Sequence, residues 1–135
     1  IHHMQGIPSN MQNNPKYKNV LLDIYDFFEK KINQIQDKKI ILDPGIGFGK
    51  SLKHNLILIS RISLFHSLGL PILVGTSRKR FIGQISDVYD SDDRTGGTIA
   101  SVLYLLLQGV QVFRVHNVIE VKQALMVFDK ILNEK

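Results

Sequence analysis

Asp43-Pro44-Gly45-Ile46-Gly47-Phe48-Gly49-Lys50 sets one acid, one aromatic ring and one amine on a backbone with glycine at alternate positions. Glycines let a chain turn sharply and approach a ligand closely, at an entropic cost that packing alone seldom requires. The combination suits a flat, hydrogen-bonding, partly anionic small molecule. Spacing removes the two nucleotide readings such a loop invites. A dinucleotide fingerprint needs G-x-G-x-x-G, whereas Gly45, Gly47 and Gly49 give G-x-G-x-G. A P-loop needs four residues between its glycines; Gly45 and Gly49 enclose three, with Pro44 where the first glycine belongs. A glycine-rich turn without a ligand remains the plain alternative.

Asp43 alone reads as a turn cap. Lys79 follows the neighbouring apolar run and can reach the same mouth. Together, a carboxylate accepts paired N–H donors from a heterocycle and an amine donates to its carbonyl oxygen. The run Arg78-Lys79-Arg80 by itself reads as a solvated basic surface. Arg114 and His116 lie two apart on a strand, so both point to one face. They read either as a phosphate or pyrophosphate clamp, or as a salt-bridged arginine beside an incidental histidine. His54 and His66 fall on helices at no ligand spacing and read as structural. No zinc set and no Ser-His-Asp or Cys-His arrangement is present.

The elements that must hold these groups alternate with little slack. Asn14 and Pro15 are expected to cap and start a helix reaching about Gln36, with Val20, Leu21, Ile24, Phe27, Phe28, Ile32 and Ile35 as its apolar face. Lys39–Leu42 reads as a short buried strand. Ser51 opens a second helix, apolar at Leu56, Ile59, Ile62 and Leu64 and closed by Gly69. Leu70–Gly75 is a strand, Phe81–Ile85 a helical turn, and Arg94–Gln108 a helix whose Gly96, Gly97 and Ala100 allow close packing. Val110–Val115 is a strand and Ile119–Leu132 a last helix. Apolar strands alternating with helices indicate a parallel sheet wrapped by helices, and each polar cluster follows a strand, where α/β folds bind ligands.

The chain has 135 residues, 44% of them hydrophobic and 21% charged, which suits one globular domain. Its net charge of +5 is scattered among acids, which tolerates anionic ligands and gives no nucleic-acid signature. The absence of cysteine rules out disulfides and thiolate metal sites and fits a reducing, cytoplasmic setting. Apolar stretches are interrupted by Arg61, His66, Gln108 or Gly109, so no membrane span is expected. The opening Ile1-His2-His3-Met4-Gln5-Gly6 reads as the end of a buried element, and the chain as a piece of something longer.

Four motifs together cover nearly the whole chain and resemble those of dihydropteroate synthases. They are His3-Met4-Gln5-Gly6-x-Pro8-x-x-Met11-Gln12, Asp43 to Lys50, Gly75-Thr76-Ser77-Arg78-Lys79-Arg80-Phe81-Ile82-Gly83, and Arg114-Val115-His116-Asn117-Val118. Gly96-Gly97-Thr98-x-Ala100 is similar to the family's penultimate helix. Two departures stand out: Asn117 where an Asp is usual, and His2 beside the His-Met pair. The resemblance implies the C-terminal half of a (β/α)8 TIM barrel, residues 1–135 being a partial pterin-binding domain. It implies a transferase of folate biosynthesis, a target of sulfonamides, that joins p-aminobenzoate to 6-hydroxymethyl-7,8-dihydropterin pyrophosphate and releases pyrophosphate. By resemblance Asp43 and Lys79 hold the pterin, Met4 and Gly75 wall its pocket, Phe48 and Ser77 meet p-aminobenzoate, and Arg114 with His116 bind pyrophosphate. Lys79, Arg114 and His116 are the implied catalytic residues, serving a reaction whose C–O bond breaks largely before the amine attacks. Mg²⁺ assists in the family, with its ligand in the N-terminal half. A chain holding half a barrel is expected to be inactive alone, and to pair with a complementing N-terminal half or as a homodimer. The alternatives are a split-frame or inactive product that only completes a partner, and a pterin-dependent methyltransferase, which Ser77-Arg78-Lys79 and Arg114-Val115-His116 disfavour.

Overall fold

The first long helix, α1 (Val20–Gln34), starts at Asn19, not at the expected Asn14-Pro15 pair. In the computed structural model, which describes residues 1–7, 9–36 and 39–134, Asn19 is extended. Its side-chain oxygen accepts from the N–H groups of Leu21 (3.1 Å) and Leu22 (3.3 Å). The Asp23 carboxylate reaches back to accept from Lys18 (2.9 Å) and Asn19 (3.3 Å). These bonds satisfy donors that a helix start leaves orphaned. Asn14 instead adopts left-handed backbone at φ 54, which asparagine tolerates, and so belongs to a turn. Pro8 of the first motif lies outside the described residues.

α2 (Leu52–Ser60) begins where expected, with a reciprocal cap: the Ser51 hydroxyl accepts from His54 N–H (3.2 Å) and His54 Nδ1 from Ser51 N–H (3.3 Å). It does not run through to Gly69. At Arg61 it gives way to a 3₁₀ helix, Ile62–Leu68, which Gly69 closes at φ 71. The tighter period rotates the apolar face. Leu58, Ile59, Ile62 and Phe65 are therefore buried, while Leu56 and Leu64 lie outside.

Next come β1 (Leu73–Val74), α3 (Arg80–Ser86), a 3₁₀ turn (Asp92–Arg94), α4 (Thr95–Leu107), β2 (Val112–Phe113) and α5 (Val118–Asn133). Of the three small residues expected to let α4 pack closely, only Gly97 does so. A Cβ there would stand 2.3 Å from Ile82 Cγ2, whereas Gly96 faces open space and Ala100 is exposed.

Parallel segments pair in chain order. His2 bridges Asp43, Leu42 bridges Ile72, and Leu73 and Val74 pair with Val112 and Phe113. Backbone bonds run from His3 N–H to Asp43 O (2.9 Å), Leu73 N–H to Leu42 O (2.8 Å) and Arg114 N–H to Val74 O (3.1 Å). The paired stretches are shorter than the expected strands. Pro71 offers no donor, and Ile72 N–H is taken by the Gln111 side chain (2.9 Å). One core lies between sheet and helices: Ile24, Phe28, Leu42, Leu58, Ile62, Phe65, Ile72 and Leu105 are fully buried. Phe28 and Phe65 meet edge to face at 5.6 Å. Each such side chain contributes about 1.5–3 kcal/mol by leaving water.

Candidate functional site

Because the strands are parallel, their carboxyl ends deliver His2–Met4, Asp43–Lys50, Gly75–Lys79 and Arg114–Asn117 to one edge. The glycine loop is pressed against the first of these. Gly45 has φ 68, and a Cβ on it would fall 1.9 Å from the His3 carbonyl oxygen, so only glycine fits. Asp43 Oδ1 accepts from Gly45 N–H (2.9 Å), which fulfils the turn role expected of a lone Asp. Its Oδ2 faces His2 Nε2 at 4.0 Å.

Phe48 ties two strand ends together. The His2 ring meets it edge to face at 4.7 Å, and Lys79 Nζ stands 3.9 Å from its centroid, a cation–π contact. Burial, then the Arg114 charge, push the Lys79 amine down to about 8, with Asp43 opposing. Lys79 thus lies within the field of both the acid and the arginine and is still largely protonated at neutral pH. Gly75 is buried with Arg114 Nε 3.4 Å from where its Cβ would be. Ser77 Oγ lies 2.9 Å from His116 Nδ1 and accepts from His116 N–H (3.2 Å), so its hydroxyl is engaged by the histidine. Met4 follows at the same edge and is exposed.

Sequence reasoning gives Lys50 to neighbouring structure or charge and leaves the other supports of the loop unassigned. Lys50 is buried; its Nζ donates to the Phe48 carbonyl oxygen (2.9 Å) and stands 3.2 Å from His3 Nδ1. Burial pushes its amine down to about 7, against the pull of Asp43. Burial also pushes His3 down to about 4, so at neutral pH an uncharged ring faces the Lys50 amine. Asn55 Oδ1 accepts from Gly47 N–H (2.7 Å), Tyr17 donates to Gly49 O (3.0 Å), and Gln12 donates to Gly47 O. Gln12 closes the first motif without a role of its own, and neither Asn55, which follows Lys53 and His54, nor Tyr17 stands out in the sequence.

The basic run is not a solvated surface as a whole. Arg78 sits at φ 60, and its guanidinium donates to Asn117 Oδ1 (3.1 and 2.9 Å) and pairs with Asp92. Its backbone N–H meets Thr98 Oγ1 at 3.1 Å, and Arg94 donates to its carbonyl at 3.0 Å. Arg80 is exposed. The loop between Ser77 and Lys79 is therefore held from two sides. Among the described residues no group of three or more His, Cys, Asp or Glu could hold a metal ion. The edge offers an acceptor at Asp43, donors at Lys79 and Arg114, and a flat wall at Phe48: a cradle for a planar heterocycle with an anion beside it.

A family profile described as pterin binding enzyme matches residues 1–116. The dihydropteroate synthase of Escherichia coli is 41% identical over 138 aligned positions, covering 98% of this chain and 49% of the relative. A crystal structure of dihydropteroate synthase from Thermus thermophilus superposes with a TM-score of 0.92 at 36% identity, over 98% of this chain and 55% of that one. That protein has been solved with 6HMPPP and with 4-aminobenzoate. The Yersinia pestis dihydropteroate synthase, solved as a sulfonamide drug complex, matches at TM-score 0.92 and 40% identity, over 99% of this chain and 50% of that one. The chain spans about half the length of the curated relatives it matches.

Proposed function

The chain belongs to the pterin-binding enzyme family, as a dihydropteroate synthase relative, and we propose that it supplies the second half of a (β/α)8 barrel of that type. In this reading residues 1–135 form a partial pterin-binding domain, and a complementing N-terminal half-barrel completes the site. The reaction is transfer of a dihydropterin-6-ylmethyl group. The amine nitrogen of p-aminobenzoate forms the C–N bond, the C–O bond to pyrophosphate breaks, and the amine gives up a proton.

The roles follow from the chemistry of each strand end. The second oxygen of Asp43 accepts N–H donors of the pterin while its first holds the turn. Lys79 donates to the pterin, its cation steadied over Phe48. Gly75 and Met4 bound the pocket, and Phe48 with Ser77 borders p-aminobenzoate. Arg114 and His116 take the charge that grows on departing pyrophosphate, His116 being oriented by Ser77. Among the described residues no donor set fits the Mg²⁺ that the resemblance implies, and no step is routed through it here.

The observation that carries the reading is the placement of Lys79 over Phe48 within the fields of Asp43 and Arg114, from three different strand ends. It is tested by a chimera in which residues 1–135 replace the matching half of the Escherichia coli relative. Given p-aminobenzoate, the pterin pyrophosphate and Mg²⁺, the chimera forms dihydropteroate and the 135-residue chain alone does not. Lys79→Met and Arg114→Met in the chimera each lower kcat/KM by about 10²-fold or more. A folded chimera without turnover refutes the reading, and robust turnover by the chain alone refutes the need for a second half.

A further inference from the structure

His2 stands inside this cluster with no role assigned to it. We propose that His2 contacts the bound heterocycle and selects which heterocycles the site accepts, by standing beside the second oxygen of Asp43 as an additional polar partner. The proposal rests on the pterin reading above.

Alternation along the first strand separates the two histidines. His3 turns toward the helices, where its ring meets Phe27 at 4.9 Å and Nδ1 faces Lys50. His2 turns to the mouth. Its Nε2 lies 4.0 Å from Asp43 Oδ2, its ring lies 4.7 Å from Phe48, and its side chain keeps 37% exposure. A separation of 4.0 Å is not a hydrogen bond, so Oδ2 keeps its lone pairs for a ligand. The charged groups facing the imidazole are Asp43 and Lys50 from the glycine loop, Lys79 from the end of β1, and Arg114 from the end of β2. Burial and the three cations hold His2 neutral at pH 7, and Asp43 opposes them.

In the tautomer with its proton on Nδ1, neutral His2 presents an acceptor beside the acceptor of Asp43. A 2-amino-4-oxopteridine offers adjacent N–H donors from its amino group and ring nitrogen, and two side-by-side acceptors match that pattern. A 2,4-dioxopteridine lacks the amino donor. Acid reverses the effect: protonated His2 becomes a cation beside Asp43, competes with the ligand for Oδ2 and turns an acceptor into a donor.

The test is fluorescence titration of the full chain and of the chimera with pterin and with lumazine, the 2,4-dioxo analogue, between pH 5 and 8. Expected for the unaltered protein is tighter binding of pterin than of lumazine, weakening as the pH falls. His2→Val loses about tenfold in pterin affinity, leaves lumazine unchanged and flattens the pH dependence, while His2→Gln, which keeps a polar atom, recovers part of the preference. Unchanged pterin affinity, pterin-to-lumazine ratio and pH profile in His2→Val overturn the proposal and leave the pterin reading standing. If the unaltered chimera binds no pterin, the pterin reading fails, and this proposal fails with it. A proton-NMR titration of the His2 ring then shows whether the geometry itself holds: Asp43→Asn lowers its pKa if the two groups face each other as described, and an unmoved value refutes the placement.

Discussion

A buried lysine beside a ligand cradle has a measurable signature. Unfolded, Lys50 titrates near 10.5; folded, burial brings it to about 7. Between these values the unfolded chain holds a proton that the folded chain has released. Stability therefore rises with pH across that window, and this gain is lost as pH falls through 7. Lys50→Met removes this dependence while leaving Lys79, shifted the same way, in both proteins. Urea midpoints from pH 6 to 9 are expected to climb for the parent relative to the variant, and parallel curves contradict the burial of a titrating amine. The same residue shows what a sequence hides. Asp43, Lys79, Arg114 and His116 were legible because each closely follows an apolar strand, where parallel sheets present their ends. Lys50 reads from the sequence only as a group for neighbouring structure or charge, because its burial depends on His3, forty-seven positions away, and on Tyr17, close to it in space.

Among the elements, α4 separates two kinds of glycine. Gly96 and Gly97 share a helix and an intrinsic propensity, so alanine at either removes the same entropic penalty, worth about 1 kcal/mol. At Gly96 nothing lies within 4 Å and the gain is realised. At Gly97 the new methyl meets Ile82 Cγ2 at 2.3 Å, and overpacking of about 1–3 kcal/mol outweighs it. Chemical denaturation should thus find Gly96→Ala neutral to stabilised and Gly97→Ala destabilised; equal shifts would place α3 and α4 differently. Asn19→Ala is expected to cost about 1 kcal/mol through lost capping, and Asn14→Ala much less. Here the pattern of apolar residues showed which helices exist but not where they change. Asn14-Pro15 and Asn19 are both acceptable starts by composition, and the Asp23 back-bond decides between them. The shift from α2 to a 3₁₀ turn at Arg61 leaves no mark in the apolar spacing, so the spacing places Leu56 and Leu64 inward while the structure exposes both.

For the whole molecule, the decisive fact is that the sheet has two sides left open among the described residues. The strand ending at His3 pairs only with the Asp43 strand, and β2 only with β1. α5 buries only Val121 and leaves Val118, Ile119, Met126, Val127, Ile131 and Leu132 exposed. Open edges and apolar faces are sites where further chain adds. In a parallel pair, N–H groups of successive residues point to opposite neighbours. Val112 and Arg114 donate to Ile72 (3.2 Å) and Val74 (3.1 Å), so the N–H of Phe113, between them, points to the open side. Hydrogen exchange at that one amide reports whether the barrel is closed. In the dilute 135-residue chain it exchanges at close to the rate of an unprotected amide, while Arg114 is slowed. Raising the protein concentration protects it if copies of the chain pair through this edge, and sedimentation then shows the matching larger species. Completing the barrel, in the chimera or by adding a first-half partner, protects it at every concentration. Protection of Phe113 in the dilute, monomeric chain would mean that the edge is already covered from within, and a second half-barrel would then have no strand to join.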